Sequence, residues 1–230
     1  MEKLSYLKYS LQLIWTHWRE TKETYSQHGE DILVSHILGQ VDSFVEIGAN
    51  DGVLFSNCYK FAKAGARGLC LEPSSKSFWK LRLNHLPHRR VKCLKLAASD
   101  SSKKLFLEEA GYESVLSKVK PTSGEGLQKV QAVSMKDIWR KYPSFKNTDL
   151  LSIDVEGHEN EVLKGAGKEP LDAKVIILES DKSTEQEMLS MPCLHKHRVG
   201  FANGINLLLV HKQLDFTMIK ELPEGFHRRI

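Results

Sequence analysis

Apolar and polar positions along this chain follow two periods, and the change from one to the other predicts a fold that mixes helices with strands. Close to the start, apolar side chains recur every three or four residues, which predicts an amphipathic helix from Leu4 to Arg19. The next segment predicts a second helix, with Ser26 as its N-cap and Gly39 just past its end. We therefore expect an N-terminal helix within residues 1–24 and a main domain over residues 25–230.

From Ser43 onward, short β-prone runs alternate with helical segments. Strands are predicted for the runs SFVEIG, GLCLEP, VKCLKLAAS, LLSIDV and KVIILES. Helices are predicted over residues 53–64, 74–86 and 159–164, with a short one near residues 184–189. Strands that alternate with helices imply parallel pairing through crossover connections, so we predict an α/β fold with a mostly parallel sheet and helices on both faces.

Two stretches depart from this alternation. HRVGFAN and INLLLVHK are β-like runs joined by the Asn203–Gly204 turn with no helix between them, which predicts an antiparallel hairpin at the edge of the sheet. Between Ser101 and Pro143, KKLFLEE and VQAVSM predict short strands. GYESVLSKVKPTSGEG, which lies between those two runs, predicts a loop that covers a site.

Composition narrows the classes of function. Lys and Arg number 33 against 29 Asp and Glu, a net charge of +4 that is too small and too dispersed to predict binding of nucleic acid. Four widely spaced cysteines form no C-x-x-C pair, which is typical of reduced thiols in a cytoplasmic protein. No apolar run reaches the roughly 20 residues of a transmembrane helix. The N-terminal helix either packs on the main domain or contacts a membrane surface or a partner.

The run FVEIGANDGV places a glycine turn directly after the first strand of the main domain. Backbone N–H groups at such a turn approach a ligand that lies above the sheet. Dinucleotide-binding folds use G-x-G-x-x-G, whereas this turn reads G-x-x-x-G from Gly48 to Gly52, with Asn50 and Asp51 in its centre. Because the Asp51 carboxylate would repel a pyrophosphate, the turn favours a different ligand.

Acidic residues at other strand ends indicate which ligand. Glu72 ends the second strand, where an acid accepts hydrogen bonds from ribose hydroxyls, and Ser99 and Asp100 follow the third, where an acid can accept the adenine amine. Glu46 and Asp154 would attract positive charge. S-adenosylmethionine combines adenosine with an ammonium and a sulfonium group, so we predict it as the cofactor.

The run IDVEGHE lies at the end of a buried strand and places three acidic side chains and one imidazole around Gly157. Asp154, Glu156 and His158 are candidate catalytic residues, because methyl transfer to a hydroxyl needs a group that removes the proton. Carboxylates also bind Mg²⁺, which lowers the pKa of a bound hydroxyl, so Asp154 and Glu156 are equally candidates for a metal site. The sequence leaves the choice between base and metal open.

At these residues the sequence resembles the FkbM family of S-adenosylmethionine-dependent methyltransferases. The resembling runs are YSQHGED (residues 25–31), FVEIGANDG (44–52), GLCLEP (68–73), AASD (97–100), VSMKDIW (133–139) and IDVEGHENEVLKG (153–165). The resemblance implies a Rossmann-like class I methyltransferase fold whose seven strands end in a reversed hairpin. It also implies O-methylation, commonly of a sugar hydroxyl in a natural product or a glycan.

The resemblance assigns residues to two sides of the site. It implies that S-adenosylmethionine is bound by Glu46, Gly48, Asn50, Gly52, Glu72 and Asp100. It implies that the acceptor side comprises Gln27, Glu30, Asp154, Glu156 and His158. The expected partner is a small-molecule or glycan acceptor, and assembly into a homo-oligomer is left open.

Two other functions use the same features. A nicotinamide-dependent oxidoreductase would also have a strand, a glycine turn, a helix and a strand-end acid. A non-catalytic module would keep the cofactor fold to bind a glycan or a partner enzyme. The pair Asp154 and Glu156 favours an enzyme over the non-catalytic module.

Overall fold

A mostly parallel β-sheet lies at the centre of this α/β fold. The computed structural model describes residues 15–108, 118–120, 124, 126–180 and 185–229. The strands are β1 (Ser43–Ile47), β2 (Arg67–Leu71), β3 (Val91–Leu94), β4 (Ala97–Ser99), β5 (Lys103–Glu108), β6 (Lys118–Lys120), β7 (Gln128–Ser134), β8 (Leu150–Ile153), β9 (Val175–Glu179), β10 (His197–Ala202), β11 (Asn206–His211) and β12 (His227–Arg228). The helices are α1 (Glu30–Leu38), α2 (Tyr59–Lys63), α3 (Ser75–Asn84), α4 (Met135–Lys141), α5 (Glu159–Lys164) and α6 (Glu185–Leu189).

The larger sheet has the order β12-β10-β11-β9-β8-β1-β2-β3. Its central strands pair in parallel, and β11 pairs antiparallel with both β9 and β10. The prediction of a mostly parallel sheet with a C-terminal antiparallel hairpin is therefore confirmed. The predicted number of seven strands is wrong, because Phe201 and Ala202 of β10 pair with the short strand β12 and make the sheet eight-stranded. For the same reason the hairpin does not form the edge.

Helices cover both faces of this sheet, as predicted. Successive strand residues point to opposite faces, so β1 contributes to two separate apolar layers. Val45 and Ile47 pack in one layer with residues of α4, α5 and α6. Phe44 packs in the other with residues of α1, α2 and α3.

A second sheet, of four strands in the order β4-β7-β5-β6, corrects the prediction that VKCLKLAAS is one strand. The chain leaves the large sheet after β3 in a turn in which the Leu96 N–H donates to the Leu94 carbonyl oxygen at 3.0 Å. The next residues form β4, which pairs in parallel with β7. Gly165 lets the end of α5 approach β4, since a Cβ there would lie 2.2 Å from the Ser99 carbonyl oxygen.

Two predicted helix starts are wrong. The N-cap of α1 is Gly29, in the left-handed region at φ 84°, and Ser26 instead donates a hydrogen bond to the Asp31 carboxylate at 3.0 Å. The helix predicted over residues 53–64 is only α2, because Phe55 has a φ of 59° that no α-helix tolerates. Ser56 then accepts the Tyr59 N–H at 3.0 Å, and the helix begins there.

Several predictions match the described chain. Gly39 follows α1, and α5 has the predicted bounds Glu159–Lys164. KKLFLEE contains β5, and VQAVSM overlaps β7, which begins two residues earlier at Gln128. Residues 118–120 of the predicted loop form β6. Residues 15–19 are helical, whereas the rest of the helix predicted from Leu4 and most of the loop over residues 111–126 lie outside the described residues. Within the described ranges, no helix is both long and apolar enough to cross a membrane.

Candidate functional site

A cleft opens at the carboxyl ends of β1, β2 and β8. It contains about 870 Å³ of empty space, part of which is open to solvent. The first strand and its turn contribute Glu46, Ile47, Gly48, Ala49, Asn50, Leu54, Phe55, Ser56 and Asn57. The other walls comprise Glu72, Pro73, Ser77, Leu96, Ala97, Ala98, Ser152, Asp154, Val155, Glu156 and His158.

The floor of the cleft depends on Gly48. Its φ is 86°, and a Cβ at this position would lie 1.7 Å from the carbonyl oxygen of Asp154. The N–H groups of Gly48 and Ala49 both donate to the Leu71 carbonyl oxygen at 3.0 Å. The turn is therefore held between β2 and β8, at a distance that only glycine allows.

Glu72 lies on the adjoining wall, and two backbone N–H groups donate hydrogen bonds to its carboxylate. One carboxylate oxygen accepts the Asn50 N–H at 2.9 Å, and the other accepts the Ser74 N–H at 2.7 Å. The side chain is buried, so these charge-assisted bonds fix its orientation. A carboxylate fixed in this orientation suits a ligand that presents paired hydroxyls.

Glu46 is a buried carboxyl at the end of the central strand. Its Oε1 accepts the Ser56 hydroxyl at 2.8 Å, whereas its Oε2 is buried without a hydrogen-bond partner among the described residues. Burial, with a smaller contribution from the charge of Asp154, raises the pKa of Glu46 to about 8. A cation in the cleft would supply the missing partner and favour the ionised form.

The carboxyl groups of Asp154 and Glu179 come within reach of each other at the ends of β8 and β9. Burial raises the pKa of Asp154 to about 6, and the charges of Glu156 and Glu159 add to this. Burial and the charge of Asp154 raise the pKa of Glu179 to about 7. Two carboxyl groups in this contact share a proton, so near neutral pH the pair can accept one.

The D-V-E-G turn carries Asp154 and Glu156 into the cleft. Its shape depends on two residues with left-handed backbone, Glu156 at φ 56° and Gly157 at φ 92°. The buried Glu159 side chain holds the turn, since its Oε1 accepts the N–H groups of Val155 at 2.9 Å and Gly157 at 3.2 Å. Glu159 therefore has a structural part in the motif.

His158 also borders the cleft, and its Nε2 lies 3.0 Å from the Ser99 hydroxyl oxygen. Ser99 donates its one hydrogen to Asp100 at 3.0 Å, so His158 Nε2 must be the donor to Ser99. Burial lowers the pKa of His158 and favours the neutral ring. The Nε2 atom is occupied in this chain of hydrogen bonds and is not available as a base.

Other predicted residues lie outside the cleft wall. Asp100 is exposed and bonded to Lys103, whose hydrogen bond lowers the pKa of this carboxyl to about 2. Gln27 is exposed, and Glu30 is buried with its carboxylate bonded to Asn206 at 2.7 Å. Gly52 supports α3 instead, because a Cβ there would lie 2.5 Å from Leu81.

No divalent metal site is evident among the described side chains. Within the ranges that the structure describes, no group of three or more His, Cys, Asp or Glu side chains is arranged to hold a metal ion. Asp154, the stronger of the two candidates, is engaged with the Glu179 carboxyl group. We therefore derive no step that involves Mg²⁺.

The sequence of this cleft identifies the family. The family model described as "Methyltransferase FkbM domain" matches residues 46–203, which is more than half of the chain and includes every residue that lines the cleft. The chain belongs to the FkbM family of S-adenosylmethionine-dependent methyltransferases. Gln27 and Glu30 lie before the matched range. Membership places the protein among methyltransferases and not among the nicotinamide oxidoreductases considered above.

Solved structures of methyltransferases resemble this FkbM protein. An FkbM methyltransferase from Methylobacillus flagellatus is 15% identical with a TM-score of 0.48, and the match covers 74% of this chain and 44% of that one. A precorrin-6y C5,15-methyltransferase from Geobacter metallireducens is 14% identical with a TM-score of 0.46, with 83% and 92% covered. An O-methyltransferase from Bacillus cereus in complex with SAH is 16% identical with a TM-score of 0.45, and 90% of each chain is covered. No curated protein matches the sequence.

The sequence reasoning missed Glu179 and the polar group beneath the turn. Asn57 donates to the Ser152 hydroxyl at 3.0 Å, which links the glycine turn to β8. Glu179 ends the run KVIILE in the same way as Glu72 ends GLCLE, so an acid at the end of a buried strand was the available signal. The second sheet brings Leu96 and Ala97 into the cleft, which the prediction of a single strand excluded.

Proposed function

We propose that this FkbM methyltransferase transfers the methyl group of S-adenosylmethionine to a hydroxyl group of a sugar or glycan-like acceptor. The observation that carries the proposal is that Gly48, Glu72 and Asp154 border one cleft at the carboxyl ends of adjacent parallel strands. Ligands of open α/β sheets bind at this end of the strands. The family indicates the class of reaction, and the cleft has residues suited to binding the cofactor and to removing the proton of the acceptor.

The turn side of the cleft suits the cofactor. The oriented Glu72 carboxylate would accept the ribose hydroxyls, and Pro73, Leu96 and Ala97 offer apolar contact to adenine. The unpartnered Oε2 of Glu46 would receive a cationic group. Since the Asp100 side chain is exposed and bonded to Lys103, we propose no direct contact for it.

The β8 side of the cleft suits the acceptor. S-adenosylmethionine supplies an electrophilic methyl group on a positively charged sulfur. Asp154 would accept the proton of the attacking hydroxyl, because it borders the cleft and its raised pKa of about 6 makes it a stronger base than an ordinary Asp. Glu179 would position Asp154 through a shared proton.

A sugar-like acceptor agrees with the polarity of this side. Asp154 and Glu156 border the cleft, and the negative charge of Glu30 contributes to the raised pKa of Asp154. Carboxylate oxygens only accept hydrogen bonds, so they favour an acceptor that donates several, as a polyol or sugar does. The free thiols of all four cysteines agree with the cytoplasmic location predicted from the sequence.

The test is methyl transfer from labelled S-adenosylmethionine to a panel of mono- and oligosaccharides. We expect Asp154→Asn to bind the cofactor with unchanged affinity and to lose roughly 10²- to 10⁴-fold in turnover. Glu169→Gln is the matched control, because Glu169 is exposed and, among the described residues, pairs with Lys146 at 3.1 Å. Full activity in Asp154→Asn would remove Asp154 as the base, and a wild-type protein that binds no S-adenosylmethionine would refute the proposal.

A further inference from the structure

We infer that the outer face of α3, together with the helical residues 15–19, docks this protein on an anionic membrane surface. We call this region the α3 face. Its exposed apolar side chains are Trp15, Trp79, Leu83 and Leu86. Exposed cations lie on these elements or close to them in sequence: Arg19, Lys76, Lys80, Arg82, Arg89 and Arg90.

Exposed apolar side chains lie on α3 and just after its end. Trp79 and Leu83 are 60% and 39% exposed and are four residues apart, which places them on one side of the helix. Leu86, which is 65% exposed, lies in the turn that follows the end of α3 at Asn84. The opposite side is buried and includes Leu81 and Asn84. The outer face of a surface helix is normally polar, so these exposed apolar side chains need an explanation.

The N-terminal segment adds to these apolar side chains. The Trp18 indole N–H donates to the Asn84 carbonyl oxygen at 3.1 Å, and the Lys63 ammonium donates to the His17 carbonyl oxygen at 3.0 Å. These contacts hold residues 15–19 at the end of α3 and leave Trp15 55% exposed. Trp15, Trp79, Leu83 and Leu86 are half of the eight large apolar side chains that are exposed among the described residues, and they belong to α3, to the turn after it or to the segment bonded to its end.

The charge of the face identifies its occupant. Between Glu72 and Asp100 the sequence contains no Asp or Glu and seven Lys and Arg, at positions 76, 80, 82, 89, 90, 92 and 95. The Arg82 guanidinium lies 5.2 Å from the centre of the Trp79 ring, and that of Arg19 lies 5.5 Å from the Trp15 ring. Tryptophan and leucine surrounded by cations suit the boundary between acyl chains and anionic headgroups.

Other occupants fit less well. Nucleic acid would neutralise the cations and could stack on Trp79, but it would leave Leu83 and Leu86 in water. A symmetric contact with a second copy would bring the same cations together, which is repulsive. An anionic bilayer satisfies both the apolar side chains and the charge.

The experiment is co-sedimentation of the full chain with vesicles of phosphatidylcholine alone or mixed with anionic phosphatidylglycerol. We expect binding to the mixed vesicles only, weakened by salt. The triple variant Trp79→Ala, Leu83→Ala, Leu86→Ala should lose roughly tenfold or more in partitioning. Lys80→Gln and Arg82→Gln should each lose roughly fivefold. S-adenosylmethionine binding should be unchanged in all of them, since none of these residues borders the cleft.

Controls come from the rest of the surface. Met218→Ala removes an apolar side chain that is 80% exposed elsewhere, and Lys168→Gln removes an exposed cation elsewhere. Both should bind vesicles as the wild type does. The inference is overturned if the wild type ignores anionic vesicles, if the controls lose as much as the α3-face variants, or if the charge variants lose binding to RNA while the triple variant still binds vesicles normally. A wild-type dimer that Trp79→Ala separates, without vesicle binding, would assign the face to a second copy.

Discussion

The carboxyl groups of Asp154 and Glu179 come within reach of each other at the ends of two neighbouring parallel strands, where one proton can be shared between them. Only Asp154 borders the cleft, so the two residues have different parts. Glu179 donates to Asp154 while it is protonated, and Asp154 faces the acceptor. The pKa of Asp154, the proposed base, therefore depends on Glu179.

The pH dependence of turnover follows from this pair. The free base form of Asp154 increases as the pH rises through about 6, so kcat/KM should rise through the same range. Glu179→Gln keeps a donor to Asp154 but cannot titrate, and its profile should keep the rise near 6 and lose any change near 7. Measurement of kcat/KM against pH for the wild type, Glu179→Gln and Glu169→Gln checks this. A wild-type profile that is flat from pH 5 to 8, where the pKa values of about 6 and 7 lie, would exclude the pair.

Cofactor binding should release a proton at Glu46. Because burial raises the pKa of Glu46 to about 8, its carboxyl group is mostly protonated at pH 7 and must ionise to pair with a cation. The affinity for S-adenosylmethionine should therefore increase up to about tenfold per pH unit below 8, and level off above it. Titration calorimetry in buffers of different ionisation enthalpy measures the released proton. Glu46→Gln should release none and bind with weak, pH-independent affinity.

The same carboxyl group affects folding. Its pKa in the folded state, about 8, exceeds the ordinary value of 4.5, so the folded state holds a proton that the unfolded state loses between these values. Stability from this group is present below pH 4.5 and is lost as the pH rises to about 8. Glu46→Gln should thus gain stability relative to the wild type over this range, by a few kcal/mol at pH 8. Urea unfolding at several pH values tests it, with Glu169→Gln expected to show no such trend.

The close approach of Gly48 to Asp154 gives a matched pair of glycine variants. Gly48 and Gly204 have nearly the same backbone, with φ of 86° and 88°, but a Cβ at Gly204 would meet nothing within 4 Å. Gly204→Ala should therefore cost only the backbone strain of about 1 kcal/mol. Gly48→Ala adds overlap with the Asp154 carbonyl oxygen and should cost roughly 2–4 kcal/mol, with loss of cofactor binding. Equal costs in urea unfolding would show that the overlap is relieved without consequence.

Local sequence patterns predicted the central strands, α5 and the position of the cleft, because each of these features is determined by residues that are close together in the sequence. The run LLSI is apolar throughout and Gly165 follows Lys164, so β8 and α5 have clear ends in sequence. The second sheet could not be predicted in this way, since Ala97 pairs with Ala132 across a long segment. The position of Glu179 at the end of a buried strand was visible in the sequence, but its contact with Asp154 was not, because that contact arises only when β8 and β9 lie side by side.

Acid should destabilise the fold through His85, which is buried in contact with Tyr59 and His88 at ring distances of 5.4 and 5.5 Å. Neither ring nitrogen has a hydrogen-bond partner among the described residues, and burial together with the charge of His88 lowers the pKa of His85 to about 3. In the unfolded state His85 binds a proton near pH 6.5, whereas in the folded state it does so only near pH 3. The free energy of unfolding therefore falls as the pH drops from 6.5 towards 3. His85→Leu removes this loss without removing a protein hydrogen bond, and it should narrow the difference in unfolding free energy between pH 7 and pH 5 by at least about 1 kcal/mol. His36→Leu, at an exposed position, should leave that difference as in the wild type, and an unchanged acid sensitivity in His85→Leu would assign the effect to another group.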